Sequence, residues 1–202
     1  MSDTAPSLPL PADRAAIRVH RDRDVSDEAP AILAAGIVAH VAIADAHGPL
    51  VIPMTYGYDA ADPMRIHLHG GHHSRLVQAL GAGTPVSIGV TLTDGLVFSK
   101  SALNHSVNYR SAVVFGRAAA EQGDLENQRA LLQAMIGRYW PGRTPGVDYD
   151  VIPERDLKAT AFVTIAIEQM SAKRRVGGPK GPGDDDPAVL GTAGVSPIPD
   201  LR

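Results

Sequence analysis

The sequence predicts a mainly β protein, a barrel of about six strands with two or three helices inserted between them. Three observations lead there. Short apolar runs rich in β-branched residues recur through the middle of the chain, glycine and proline punctuate them, and only a few short stretches carry helical spacing. Many strands with few long helices favour a barrel over a doubly wound sheet.

The 202 residues suffice for one domain with a real core. Apolar residues make up 44% and charged residues 20%, ordinary values for a folded globular chain. A formal charge of −3 and a pI near 6.2 give no basic face for nucleic acid, so no nucleic-acid partner is expected. There is no cysteine, which rules out disulfides and thiolate metal sites and means that redox work needs a bound cofactor. Residues 1–11 lack the basic stretch and apolar core of a signal peptide, and no apolar run reaches membrane-spanning length. The expectation is a cytoplasmic protein with no membrane partner.

Pro6, Pro9 and Pro11 among small polar residues predict a disordered leader over residues 1–16, with the domain spanning 17–176. From Ser26 a short helix is expected: Ser26 or Asp27 can accept its free amides, Pro30 is tolerated in a first turn, and Gly36 stops it. Ile32 and Leu33 would then face the core. Residues 37–43 and 50–56 alternate as strands around His47-Gly48-Pro49, which predicts a hairpin. Pro53 lacks an amide hydrogen and so belongs at a sheet edge or bulge.

A third strand covers residues 64–69. After Gly70-Gly71 the spacing of Leu76, Val77 and Leu80 predicts a helix ended by Gly81 or Gly83. Strands follow over 85–92, 96–101 and 109–120. Asp124 then caps a helix whose apolar face holds Leu125, Leu132, Met135, Ile136 and Tyr139. A loop rich in proline and glycine over 140–153 leads to a last strand over 161–167. Residues 177–202, rich in Gly, Pro and Asp without apolar periodicity, are expected to be a tail.

Chemistry concentrates in two stretches. The first, Arg65-Ile66-His67-Leu68-His69-Gly70-Gly71-His72-His73-Ser74-Arg75, runs from a strand through a glycine turn into a helix start. Backbone amides there, with the Ser74 hydroxyl and the Arg75 guanidinium, suit a phosphate. Two glycines before a helix are equally an ordinary turn. His67 and His69 project from the same strand face, the geometry of a metal pair, but no acidic residue lies among the histidines and no metal is expected. The second stretch is Ser101-Ala102-Leu103-Asn104-His105-Ser106-Val107-Asn108-Tyr109-Arg110-Ser111. It fits a polar barrel rim, and Arg110 suits either a phosphate or a carboxylate. Lys173-Arg174-Arg175 reads as a solvated strand end.

Taken together, Val51-Ile52-Pro53-Met54-Thr55-Tyr56-Gly57, Leu68-His69-Gly70-Gly71 with Ser74-Arg75, Asp94-Gly95-Leu96-Val97, and Asn108-Tyr109-Arg110-Ser111 through Gly116 resemble the pyridoxamine 5′-phosphate oxidase-like split-barrel proteins. Within them the chain is most similar to the nitroimidazole-resistance (Nim-like) flavin-nucleotide-binding subgroup. The resemblance implies a six-stranded split β-barrel of Greek-key type, homodimeric, holding flavin mononucleotide (FMN) at the dimer interface. It places Ile52, Pro53, Met54 and Thr55 along the flavin ring and Leu68 and His69 beside the ring or ribityl chain. Ser74 and Arg75 would hold the phosphate, with Asn108, Tyr109 and Arg110 near the flavin or across the dimer. The chain lacks the C-terminal basic and aromatic grip of the true oxidase. Haem and a deazaflavin are the alternative cofactors in this superfamily.

The expectation is therefore an FMN-dependent oxidoreductase that moves electrons from NAD(P)H to a small-molecule acceptor such as a nitroaromatic. His69 is the one candidate for a catalytic proton or substrate contact. The competing expectation is a flavin- or haem-binding sensor or storage protein without turnover.

Overall fold

In the computed structural model, residues 13–119 and 124–198 are described. The expected leader up to residue 12, the strand end at Ala120 and the last four residues lie outside them. Seven strands form one curled antiparallel sheet: β1 (Val38–Asp45), β2 (Gly48–Thr55), β3 (Arg65–Gly71), β4 (Val86–Phe98), β5 (Ser106–Ala118), β6 (Thr160–Arg175) and β7 (Gly194–Pro197). Four helices join them: α1 (Ala29–Ala35), α2 (Arg75–Gly81), α3 (Leu125–Tyr139) and α4 (Glu154–Ala159). No helix among the described residues is long and apolar enough to cross a membrane.

The strand order is β2-β1-β4-β5-β6-β3, with β7 on β4. The curl brings the two ends together. Just past β2, Gly57 exchanges two backbone hydrogen bonds with His67 of β3, at 2.8 and 2.9 Å, and this short pairing closes the barrel. Inside it Val41, Tyr56, Ile66, Leu68, Ile88, Val114 and Ile165 are fully or almost fully buried. Each such side chain contributes about 1.5–3 kcal/mol relative to exposure.

Sequence and structure agree on the hairpin and on α3, where the Asp124 carboxylate accepts from the Asn127 amide at 2.9 Å. They part in three places. Residues 86–98 form one strand rather than two, because Asp94-Gly95 makes a bulge rather than a turn: Thr93 faces Tyr109, Gly95 faces Asn108, and Asp94 is left over. β6 runs on to Arg175, since its polar outer positions hide the alternation. Ser26 and Asp27 do not cap α1; they sit in a separate 3-10 turn, and Ser26 bonds Asp24 instead. Gly36 ends α1 with an ordinary φ of −72°, and its lack of a side chain matters for packing: a Cβ would overlap Val90 and come within 2.7 Å of the Tyr56 oxygen.

Candidate functional site

β3 carries its apolar side chains, Ile66 and Leu68, into the barrel and its two histidines on the other face. His67 Nδ1 lies 3.0 Å from Thr164 Oγ1. His69 stacks on Phe162, ring centroids 6.2 Å apart and planes 28° from parallel, and its Nδ1 is buried without a hydrogen-bond partner. Burial pushes both imidazoles below their ordinary pKa, which favours the neutral form of each. A neutral, half-buried imidazole with a free ring nitrogen can donate to or accept from a bound group. His72 and His73 are exposed. Among the described residues no three His, Asp or Glu side chains group to hold a metal ion.

β2 lies at the sheet edge, where the missing amide of Pro53 does no harm. Ile52 and Met54 pack against the core, while Pro53 and Thr55 are exposed. Any flavin contact from Ile52, Met54 or the buried Leu68 would therefore use backbone. A Cβ on Gly70 would make only ordinary contacts, 3.4 Å from Val77 Cγ2 and 4.0 Å from Met54 Cε, and a Cβ on Gly71 would meet nothing within 4 Å. Ser74 begins α2 with its hydroxyl making no capping bond.

Arg75 is already engaged. Its Nε donates to Asp45 Oδ2 at 2.8 Å, and its Nη2 to Asp45 Oδ1 at 2.5 Å and to the Gly48 carbonyl at 2.7 Å. The guanidinium holds the Asp45 carboxyl at about 2, against an ordinary 3.8. Only Nη1 has no partner of this set to offer a phosphate. Arg110 is likewise forked onto a carboxylate, Asp94, at 2.6 and 3.0 Å. Sequence left phosphate and carboxylate open for Arg110; the bulge that turns Asp94 out of register supplies the carboxylate. Asn108 is buried, donates to the Gly177 carbonyl at 3.1 Å and accepts from Arg175. Tyr109 is half-buried beside it.

The expected site residues thus form two groups at opposite ends of β6. Gly71 pairs with Thr160, at its start, and Tyr109 with Arg175, at its end. At about 3.3 Å per residue the strand between them is roughly 50 Å long. In one protomer the two groups share no side-chain hydrogen bond or ion pair among the described residues. Asp45 and Phe162 complete these groups without having been singled out, while Asp94 had entered only as part of a motif and Arg175 only as a solvated strand end. Asp45 had a signal in the hairpin turn, but its partner lies 30 positions on, beyond local reading.

The curled, Greek-key sheet closed by one short pairing is a split β-barrel. A family model described as pyridoxamine 5′-phosphate oxidase matches residues 25–174, and the chain belongs to that family. Among solved structures it is similar to the FAD and heme binding protein from Mycobacterium smegmatis, at 30% identity over 85% of this chain and 81% of that one, with a TM-score of 0.73. It is also similar to the flavocytochrome Anf3 from Azotobacter vinelandii, at 28% identity over 95% and 86%, with a TM-score of 0.78. A candidate 5-nitroimidazole antibiotic resistance protein from Bacteroides thetaiotaomicron shares the fold at 22% identity, 73% and 82% coverage and a TM-score of 0.59. No curated protein matches the chain.

Proposed function

We propose that this chain is a flavin-nucleotide-binding protein that works as a homodimeric oxidoreductase, passing electrons from NAD(P)H to a small acceptor such as a nitroaromatic. The observation that carries the reading is the 30% identity, across most of both chains, to a protein described as binding FAD and haem. Three features of the chain fit a flavin: the unpartnered Nδ1 of His69, the uncapped Ser74 hydroxyl and the open backbone at Gly71. The flavin supplies the redox chemistry, while the protein orients it, excludes water and offers hydrogen bonds to it. His69 is suited to hold or pass a proton at Nδ1. Because the two groups of expected site residues sit at opposite ends of β6, a complete site needs a second copy, whose Asn108 to Arg110 end would meet the first copy's His69 and Ser74 end.

FMN is the flavin that the sequence motifs imply. FAD together with haem is a second reading, favoured by the descriptions of the M. smegmatis and A. vinelandii proteins; the half-buried imidazole of His69, with its unpartnered Nδ1, is the residue that would hold a haem. The absorption spectrum of the purified protein, followed by mass identification of the released ligand, separates these. A flavin spectrum bleached by NADPH and restored by a nitroaromatic supports the oxidoreductase. A flavin that resists reduction favours a binding protein, and a colourless protein that takes up no flavin overturns the proposal.

A further inference from the structure

The sequence assigned no role to the basic run at the end of β6, and the structure folds it into a cavity. Three separate segments converge there: His20 to Val25, the turn Ala102–Asn104 with His105 and Ser106, and the strand end Arg174 to Val176 with Lys180. They enclose about 550 Å³, within the range of small-molecule sites. In a chain of net charge −3, Arg23, Arg174, Arg175 and Lys180 all line this one cavity, against a single lining acid, Asp22.

These cations are not equally free. Arg174 is neutralised by Glu28 at 2.8 Å. Arg175 is fixed by the Asn108 side chain and by the Gly177 and Gly178 carbonyls, which hold its guanidinium in place without cancelling its charge. Arg23 and Lys180 make no side-chain hydrogen bond or ion pair among the described residues. Counting Asp22 and Glu28 against the four cations leaves an excess of two positive charges, which matches a phosphate monoester at neutral pH, about −1.5 to −2. His105 and Ser106 add polar groups, and the apolar lining is limited to Val25, Leu103 and Val176. That is too little apolar wall for a porphyrin face and suits a compact anion.

We infer that this cavity is a binding site for a small phosphate-bearing anion, with Arg23 and Lys180 as the mobile contacts and Arg175 as the preset one. Within one protomer the cavity lies at the end of β6 opposite Ser74 and Arg75, but Arg175 holds Asn108, so in the proposed dimer the cavity would adjoin the flavin site without being built from the residues assigned to the flavin phosphate.

The test is calorimetric titration of the full-length protein with inorganic pyrophosphate at constant ionic strength. One saturable site per chain is expected. The double variant Arg23→Ala/Lys180→Ala, which removes no side-chain hydrogen bond or ion pair among the described residues, should weaken it at least about tenfold, and Lys180→Glu alone should weaken it in the same direction. Ser74→Ala should leave it unchanged. Haemin serves as the competing probe. Absence of saturable heat, equal affinity in both pocket variants, loss of binding in Ser74→Ala, or displacement of pyrophosphate by haemin would each overturn the inference. The flavin spectrum of the same samples is followed during the titration: bound flavin that stays in place keeps the two sites distinct, and release of flavin by pyrophosphate would overturn the inference of a separate anion site.

Discussion

Arg138 of α3 sits over the ring of Tyr56, with its guanidinium carbon 4.2 Å from the ring centroid. It donates to the Tyr56 carbonyl and to those of Leu33, Ala34 and Gly36 at the end of α1, while the Tyr56 hydroxyl donates to Leu33 as well. The carbonyls that a short helix leaves unpaired are thus satisfied by one side chain from another element. Tyr139 completes the joint: its hydroxyl accepts from the Tyr56 amide and lies 2.7 Å from the Tyr56 carbonyl.

Arg138→Ala should therefore destabilise the fold by about 2–4 kcal/mol, because it leaves several part-buried carbonyls without a donor and removes the cation from the ring. Urea unfolding measures this. A loss under about 0.5 kcal/mol would mean that water replaces the arginine.

Gly36→Ala should cost about 1–3 kcal/mol through overpacking, since the new methyl meets Val90 and the Tyr56 oxygen in a backbone conformation that alanine otherwise tolerates. The companion variant Val90→Ala should recover part of the loss. If the double variant is no more stable than the sum of the singles predicts, crowding is not the cause.

Asp45 gives the protein an acid sensitivity with a definite sign. Its folded pKa lies at about 2, below the ordinary 3.8, chiefly through the Arg75 hydrogen bond, with burial opposing and the His47 amide assisting. A depressed carboxylate stabilises the fold above its unfolded pKa, and that contribution is lost as pH falls from 3.8 toward 2. Thermal midpoints measured from about pH 5 down to about pH 2 should fall more steeply for the native protein than for Asp45→Asn. Parallel curves would show that the ion pair is unimportant for stability.

If the flavin site is shared between two copies, lesions at the two ends of β6 should complement each other. Each of His69→Ala and Tyr109→Ala alone should reduce flavin-dependent activity. Co-expressed in one cell, they should restore roughly a quarter of it, because half the dimers are mixed and each mixed dimer has one intact site. Purified mixed dimers without recovery would place the whole site within one protomer.

How much of this was legible in the sequence depended on the range of the interaction involved. Local signals worked: the Asp124 cap, the hairpin and the apolar face of α2 were all readable. Asp94-Gly95 misled because the same dipeptide serves a turn or a bulge, and only the partner strand decides. The Ser74 and Arg75 pairing with a phosphate was inferred from neighbours in sequence, whereas the carboxylate that holds Arg75 comes from the β1 to β2 turn. The cavity around Arg175 was invisible because its walls come from three widely separated parts of the chain, near residues 20–25, 103–106 and 174–180.

β7 has a consequence for the behaviour of the molecule in concentrated solution. The pairing of Gly194–Pro197 with Gly95–Phe98 is anchored upstream by Asp184, whose carboxylate accepts from the Ser99 hydroxyl and the Lys100 amide at 2.8 Å. Beyond the stretch of β4 that β1 covers, these last residues occupy backbone groups that would otherwise be open to a strand from another molecule. A chain shortened at its C-terminus would keep its core and expose a sticky edge, so the segment that composition marks as dispensable guards against aggregation.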